Sequence, residues 1–228
     1  MMEGLRIIPA GDAAIVLEVP SRIDAALTSR LVFIAEQLRR RVGAAMLDAV
    51  VGYCTLTVYF DPVLTDAVWL EEEMRGVAGE EPPTAGLSGA RIEIPVCYGG
   101  ELGPDLASVA EQIGATPEEV IELHCAPEYR VFVVGFVPGF AYMGEVHERL
   151  ALPRRASPRT KVPPGSVAIA AGQTGIYPME TPGGWHLLGR TYIRPFDEAR
   201  DQPVLFRPGD IVRFHPIDQA EYEKAAAG

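Results

Sequence analysis

Sixteen of the 55 residues from Gly135 to Gly189 are glycine or proline. That density excludes long helices, because proline removes a backbone donor and glycine costs conformational entropy inside a helix. The stretch must fold as short strands joined by fixed turns. Its charge is equally uneven. Between Arg149 and Met179 there is no Asp or Glu, but there are Arg149, Arg154, Arg155, Arg159 and Lys161. A chain of formal net charge -11 therefore carries a local segment of five uncompensated cations. Rigid turns with isolated positive charge suit a carboxylate, a phosphate or an acidic partner surface.

The rest of the 228 residues reads as a more regular pattern. Leu5–Ala10 and Ala14–Val19 read as strands around a Gly11-Asp12 turn. Leu27, Leu31, Ile34 and Leu38 recur at helical spacing and predict a helix from Asp24 to Val42, with Arg39, Arg40 and Arg41 near its C-terminus. Met46–Val51 and Thr55–Phe60 read as a hairpin around Gly52-Tyr53. A second helix is expected from Asp66 to Val77, with Thr65 as its N-cap. The polar, turn-rich Gly79–Gly89 reads as a linker, and Arg91–Val96 as a further strand. Helices are expected at Asp105–Ile113 and Thr116–His124. The second of these opens on Thr116-Pro117-Glu118-Glu119, which supplies an N-cap, a proline at the first position and a Glu at the third. Arg130–Phe136, Val167–Ala170, His186–Tyr192 and Ile211–Pro216 read as strands between turns. The tail from Asp218 is either a short helix or disordered. The fold class expected is an α+β N-terminal domain over residues 1–88, its helices packed on one sheet, followed by a mainly β barrel or sandwich over 89–228.

Composition narrows the function. The net acidity argues against a nucleic-acid backbone as the main partner. No apolar run reaches the roughly 18 residues a membrane span requires, and the N-terminus shows no signal-peptide pattern. Cys54, Cys97 and Cys125 are odd in number and form no CxxC, which fits a reduced cytoplasm. His124 adjoins Cys125, but helical neighbours point about 100° apart and do not pair as thiol and base. His124, His147, His186 and His215 lack metal-ligand spacing, so no metal site is expected. There is no GxxxxGK[ST] and no GxGxxG, so ATP has no P-loop here.

The candidate site residues lie in the turn-rich stretch. Arg159, between Pro158 and Pro163, has a backbone set in advance and can grip a carboxylate bidentately. Gly172-Gln173-Thr174-Gly175 is either a hairpin turn or a close approach to a ligand. Pro182-Gly183-Gly184-Trp185 places an indole after a flexible turn, as a pocket wall, a partner anchor or a core residue. Gly135–Tyr142 brings Phe136, Phe140 and Tyr142 into eight residues after a strand, as a pocket lining or as a lid on its own core.

Four blocks of this sequence carry a family resemblance: IPVCYGGELGPDL at Ile94–Leu106, YRVFVVGFVPGFAYMG at Tyr129–Gly144, PRRASPRTKVPPGSVAIAAGQTGIYPMETPGGWHLLGRT at Pro153–Thr191, and RPGDIVRF at Arg207–Phe214. They resemble the bacterial family of 5-oxoprolinase B subunits, also labelled allophanate hydrolase subunit 1 or Kip-type sporulation kinase inhibitor. The last three blocks are specific, and the N-terminal third matches only in outline.

The resemblance implies a cyclophilin-like C-terminal barrel after a ferredoxin-like or similar α+β domain. It implies two partners, the C and A subunits, which with this chain cleave 5-oxo-L-proline to L-glutamate using ATP. The B and C subunits would activate the lactam by phosphorylation, and the A subunit would open the ring. In that chemistry Arg159 would bind the substrate carboxylate. Lys161 or Arg154 would stabilise phosphoryl oxygens, and Gln173 and Tyr177 would hydrogen-bond the lactam. Phe136, Phe140, Tyr142, Gly183, Gly184 and Trp185 would line the pocket or contact a partner. The Kip-type label implies an alternative, inhibition of a histidine sensor kinase by docking of the same face. The older label implies a urea- or allophanate-degrading system, for which the sequence shows no glycine-serine-rich amidase signature. A cyclophilin-like shape does not by itself imply prolyl isomerase activity.

Overall fold

Both α-helices described in the N-terminal unit start on a carboxylate. In the computed structural model, which describes residues 4–20, 24–81 and 89–227, Asp24 accepts from the amides of Ala26 and Leu27 at 2.8 and 3.0 Å and opens α1 (Ala25–Val42). The second helix, α2 (Ala67–Gly79), is capped by Asp66, which accepts from the Trp69 amide at 2.8 Å, and not by the expected Thr65. A carboxylate there gains from the helix dipole as well as the hydrogen bond. Between and before the helices run β1 (Arg6–Pro9), β2 (Ala14–Glu18), β3 (Met46–Val51) and β4 (Thr55–Phe60).

These four strands form one antiparallel sheet in the order β1-β2-β4-β3. Alternate residues Ile15 and Leu17, and Leu56, Val58 and Phe60, are buried with Leu31, Ile34 and Leu38 of α1 and Leu70, Met74 and Val77 of α2. Strand period two and helix period 3.6 thus meet in one core. The chain divides into two compact units, Met1–Gly89 and Ala90–Gly228. Residues 82–88 of the expected linker lie outside the described residues.

The second unit is built around a closed seven-stranded barrel. Its strands are β5 (Arg91–Tyr98), β6 (Tyr129–Val134), β7 (Ala141–Gly144), β9 (Ser166–Ala170), β10 (Gln173–Ile176), β12 (His186–Arg190) and β13 (Ile211–Pro216). They close in the order β10-β7-β6-β13-β5-β12-β9, with β5 and β13 parallel and the other neighbours antiparallel. The short strands β8 (Arg159–Val162) and β11 (Thr181–Gly183) pair separately. Helices α3 (Leu106–Ile113), α4 (Pro117–Cys125) and α5 (Gln219–Ala226) complete the unit. Thr116 forms the expected capping box with Glu119 on α4, and the tail resolves as a helix capped by Asp218.

The barrel strands have two faces, and both are buried where the site lies. On β9, Val167 and Ile169 belong to the interior core with Val131, Met143 and Phe214. Ala168 and Ala170 face outward into a separate cluster with Phe140, Val162, Tyr177, Trp185 and Leu187. Of the expected Gly172–Gly175 turn, only Gly172 turns. With Ala171 it links β9 to β10, and Gln173, Thr174 and Gly175 pair with Ala170, Ile169 and Ala168. Both linking residues have positive φ, 49° for Ala171 and 82° for Gly172, as a two-residue hairpin turn matched to strand twist requires.

One polar chain crosses the interior. His124 is fully buried, with Nδ1 at 2.7 Å from the Tyr98 hydroxyl and Nε2 at 2.8 Å from Thr174 Oγ1. Thr174 donates to the Ala168 carbonyl at 3.2 Å, so its oxygen accepts from Nε2–H. Nδ1 must then accept from Tyr98, whose oxygen lies 3.4 Å from Cys125 Sγ. Tyr98, and not His124, is therefore the neighbour of the Cys125 thiol. Burial pushes the His124 pKa down to about 3 and raises that of Tyr98.

Two outcomes test this description. Ala171→Asn removes the left-handed penalty on an exposed alanine, about 1 kcal/mol, and should raise the melting temperature by about 2–4 °C. The unfolded chain protonates His124 near its ordinary 6.5 but the folded chain only near 3. Stability should therefore fall as pH drops through that window, by about 1.4 kcal/mol per unit from this group. Denaturant titrations of a His124→Gln protein should show a flatter acid limb.

Candidate functional site

One glycine and a buried acid shape the outer face of the barrel wall. Phe140 stands at the centre of its aromatic cluster, with ring centroids 4.8 Å from Tyr142, 5.2 Å from Tyr177 and 5.5 Å from Trp185. Phe136 meets it edge-on at 5.8 Å. The Gly135–Tyr142 segment thus divides. Phe140 and Tyr142 turn inward, with Tyr142 on β7, while Phe136 stays 64% exposed. Trp185 packs in the cluster and lines the cavity as well. Gly183 is required by close approach, since a Cβ there would lie 2.3 Å from the Tyr177 hydroxyl. The Trp185 amide hydrogen-bonds that hydroxyl.

These residues enclose an open basin of about 260 Å³, lined by Phe136, Phe140, Tyr142 and Tyr177, by Trp185, and by Arg154 with Pro158, Pro182, Gly183 and Gly184. That lies just under the usual range of ligand pockets, about 300 Å³ and upward, and suits a small metabolite. Burial raises the Tyr142 and Tyr177 pKa values, and the Arg154 charge opposes the rise at both. Of the expected site residues the structure brings together Arg154, Tyr177, Phe136, Phe140, Tyr142, Gly183, Gly184 and Trp185. Gln173 sits on β10 opposite Gly144 and Ala170, outside the basin lining. Lys161 is exposed on β8 and pairs with Glu180 at 3.0 Å.

The five cations are not equivalent. Arg159 grips a carboxylate bidentately, but that carboxylate is internal. Its two terminal nitrogens each lie 2.8 Å from an oxygen of Asp105. Arg155 donates to the same carboxylate at 2.7 Å, and the Leu187 amide does so at 2.7 Å. Arg149 donates to the Ile113 carbonyl at 3.2 Å. Among the described residues Arg154 alone of the five has neither a hydrogen bond nor an ion pair.

Asp105 is the residue that sequence reasoning misses. It follows Gly103-Pro104 and is expected from sequence only as the first residue of a helix; it is the N-cap residue of α3, yet its side chain makes no cap hydrogen bond. It is 3% exposed. Burial alone would raise its pKa, but the Arg159 hydrogen bond, the Leu187 amide and the charges of Arg159 and Arg155 hold it below the usual carboxylate range.

Two hydrogen bonds fix the backbone on both sides of Arg154. The Pro153 carbonyl accepts from His186 Nε2 at 2.9 Å, and the Arg155 amide donates to the Gly184 carbonyl at 2.8 Å. The unpaired guanidinium therefore stands on an ordered support at the mouth of an aromatic cavity. Such an arrangement can hold a small planar anion.

Replacing Asp105 by Asn leaves two arginines facing a neutral group. We expect a loss of about 2–4 kcal/mol in denaturant unfolding at neutral pH. Because the folded pKa is depressed, the Asp105 contribution is present above about pH 4 and lost as pH falls below it. The gap between the two proteins should accordingly close in acid.

The chain matches the family model of the carboxyltransferase domain, subdomain C and D, over residues 5–206. It is 42% identical to the 5-oxoprolinase B subunit of Escherichia coli O157:H7, over 94% of this chain and 97% of that protein. It is 35% identical to the 5-oxoprolinase B subunit of Bacillus subtilis strain 168, over 93% and 92%. Among solved structures, TTHA0988 superposes with a TM-score of 0.78 at 38% identity. The match covers 90% of this chain but only 40% of that longer one. With both units spanned and relatives matched almost end to end, the chain belongs to the family of 5-oxoprolinase B subunits.

Proposed function

We propose that this protein is the B subunit of an ATP-dependent 5-oxoprolinase and works with the C and A subunits to convert 5-oxo-L-proline to L-glutamate. The observation that carries this reading is the near end-to-end match to bacterial proteins of that name. The basin adds a physical reason. 5-Oxoproline is small and flat, with one carboxylate and one weakly electrophilic amide carbonyl. A guanidinium without an internal partner, above an aromatic floor, is complementary to both parts.

Within the basin the carboxylate falls to Arg154, because Arg159 is occupied by Asp105. Arg159 and Arg155 act one layer behind, holding the turn that presents Arg154. Tyr177 and Tyr142 line the cavity, and burial raises both hydroxyls' pKa values, which favours the protonated, donating form. A donor aimed at the lactam oxygen would stabilise negative charge as it develops there. ATP supplies the activation of the amide within the assembly. Among the described residues Lys161 is tied only by an exposed ion pair, which is worth little, and can exchange Glu180 for an incoming anion. The barrel is read as cyclophilin-like, and its outer wall, not its filled interior, as the working surface.

The assembled subunits should hydrolyse ATP in a 5-oxoproline-dependent manner, and this chain alone should not. Arg154→Gln in the assembly should raise KM for 5-oxoproline about 10- to 100-fold, the loss of a charge-assisted contact. Absence of turnover by the assembled set beside a working control would remove the reading.

A further inference from the structure

Phe136 holds a backbone conformation that a bulky aromatic rarely adopts. Its φ is 74°. That left-handed geometry costs stability in any residue but glycine, and burial does not compensate it, since the side chain is 64% exposed. The surrounding loop imposes it. The Gly135 amide donates to the Phe140 carbonyl at 2.9 Å, and the Phe140 amide to the Val137 carbonyl at 3.1 Å. Val137 packs into the aromatic cluster. Gly139, at φ 82°, lies so close to the next segment that a Cβ would be 2.8 Å from Phe196 Cβ and 2.9 Å from the Pro195 carbonyl oxygen. The tip therefore cannot relax, and the Phe136 ring is fixed at the edge of the basin, perpendicular to Phe140 at an interplanar angle of 87°.

Glycine at this position would satisfy the backbone better than phenylalanine does. Strain retained at an exposed aromatic beside a cavity is the pattern of a ligand clamp. We infer that Phe136 is the specificity wall of the basin, its flat face covering one side of a planar cyclic amide whose carboxylate Arg154 holds. This rests on the reading of the basin as the 5-oxoproline site. Aliphatic carboxylates of the same charge would keep the Arg154 contact and lose the stacking, so the wall selects flat rings over flexible chains.

The test is a comparison of Phe136→Gly, Phe136→Leu and Arg154→Gln. Binding of 5-oxo-L-proline to the assembled subunits is measured by calorimetry, and thermal unfolding is measured on this chain. Phe136→Gly should melt at or above the unmodified chain, by up to about 4 °C, while binding weakens about 3- to 10-fold. Phe136→Leu keeps apolar bulk but no flat face, and should bind as weakly as the glycine variant. A fall of several degrees in Phe136→Gly overturns the strain account. Full binding by Phe136→Leu overturns the stacking role. If Arg154→Gln weakens binding and neither Phe136 variant does, the wall is refuted and the site stands. If the unmodified assembly does not bind, or no variant matters, the site reading fails and the inference fails with it.

Discussion

The Asp105 carboxylate is the point on which the outer face of the barrel depends. It receives four hydrogen bonds, three from two arginines and one from the Leu187 amide on β12. The groups come from distant places in the chain: the start of α3, the proline-rich turn before β8 with the first residue of β8, and the barrel strand β12. A buried carboxylate with fewer partners would be costly, and the two half-buried arginines would repel each other without it. Together they convert a repulsive run of cations into a rigid support. One guanidinium, that of Arg154, is left over.

The barrel can serve as scaffold and as site because its wall is thin at the right place. Outward-facing Ala168 and Ala170 leave room for the ring cluster, while Val167 and Ile169 fill the interior behind them. The His124 chain then pairs polar groups inside that barrel, and the Tyr129 hydroxyl donates to the His124 carbonyl beside it. Each donor from Tyr98 to Thr174 has one acceptor, ending at the Ala168 carbonyl, so the network is satisfied without water. Buried polarity here specifies packing, and the exposed chemistry lies on the opposite side of β9.

Local signals are legible wherever the cause is local. The Met46–Val51 and Thr55–Phe60 hairpin, the α1 stripe and the Thr116–Glu119 capping box each follow from residues within one or two turns of one another. The strands β7, β8, β10 and β11 do not read as strands from sequence alone. They are three or four residues long, too short to show an alternating pattern, and barrel closure or a distant partner makes them extended. The site follows the same division. The aromatic and cationic residue types are visible in the sequence, but their sorting is not. Arg159 and Asp105 are 54 residues apart, and nothing in either neighbourhood announces the pairing. Thr65 and Asp66 show the smaller version of the problem, two adjacent residues that are both able to cap α2.

The lone guanidinium of Arg154 sits in a molecule whose total charge is strongly negative. Beyond a Debye length, about 8 Å at physiological salt, an approaching anion feels the whole protein and is repelled if anything. Only after it has reached the basin does the local cation outweigh that field. On the proposed reading of the basin, capture would gain nothing from long-range attraction by this chain, and discrimination among anions would rest on contact and shape. A site so arranged would trade speed of encounter for choosiness, and unrelated acids of the wrong shape would not clog it.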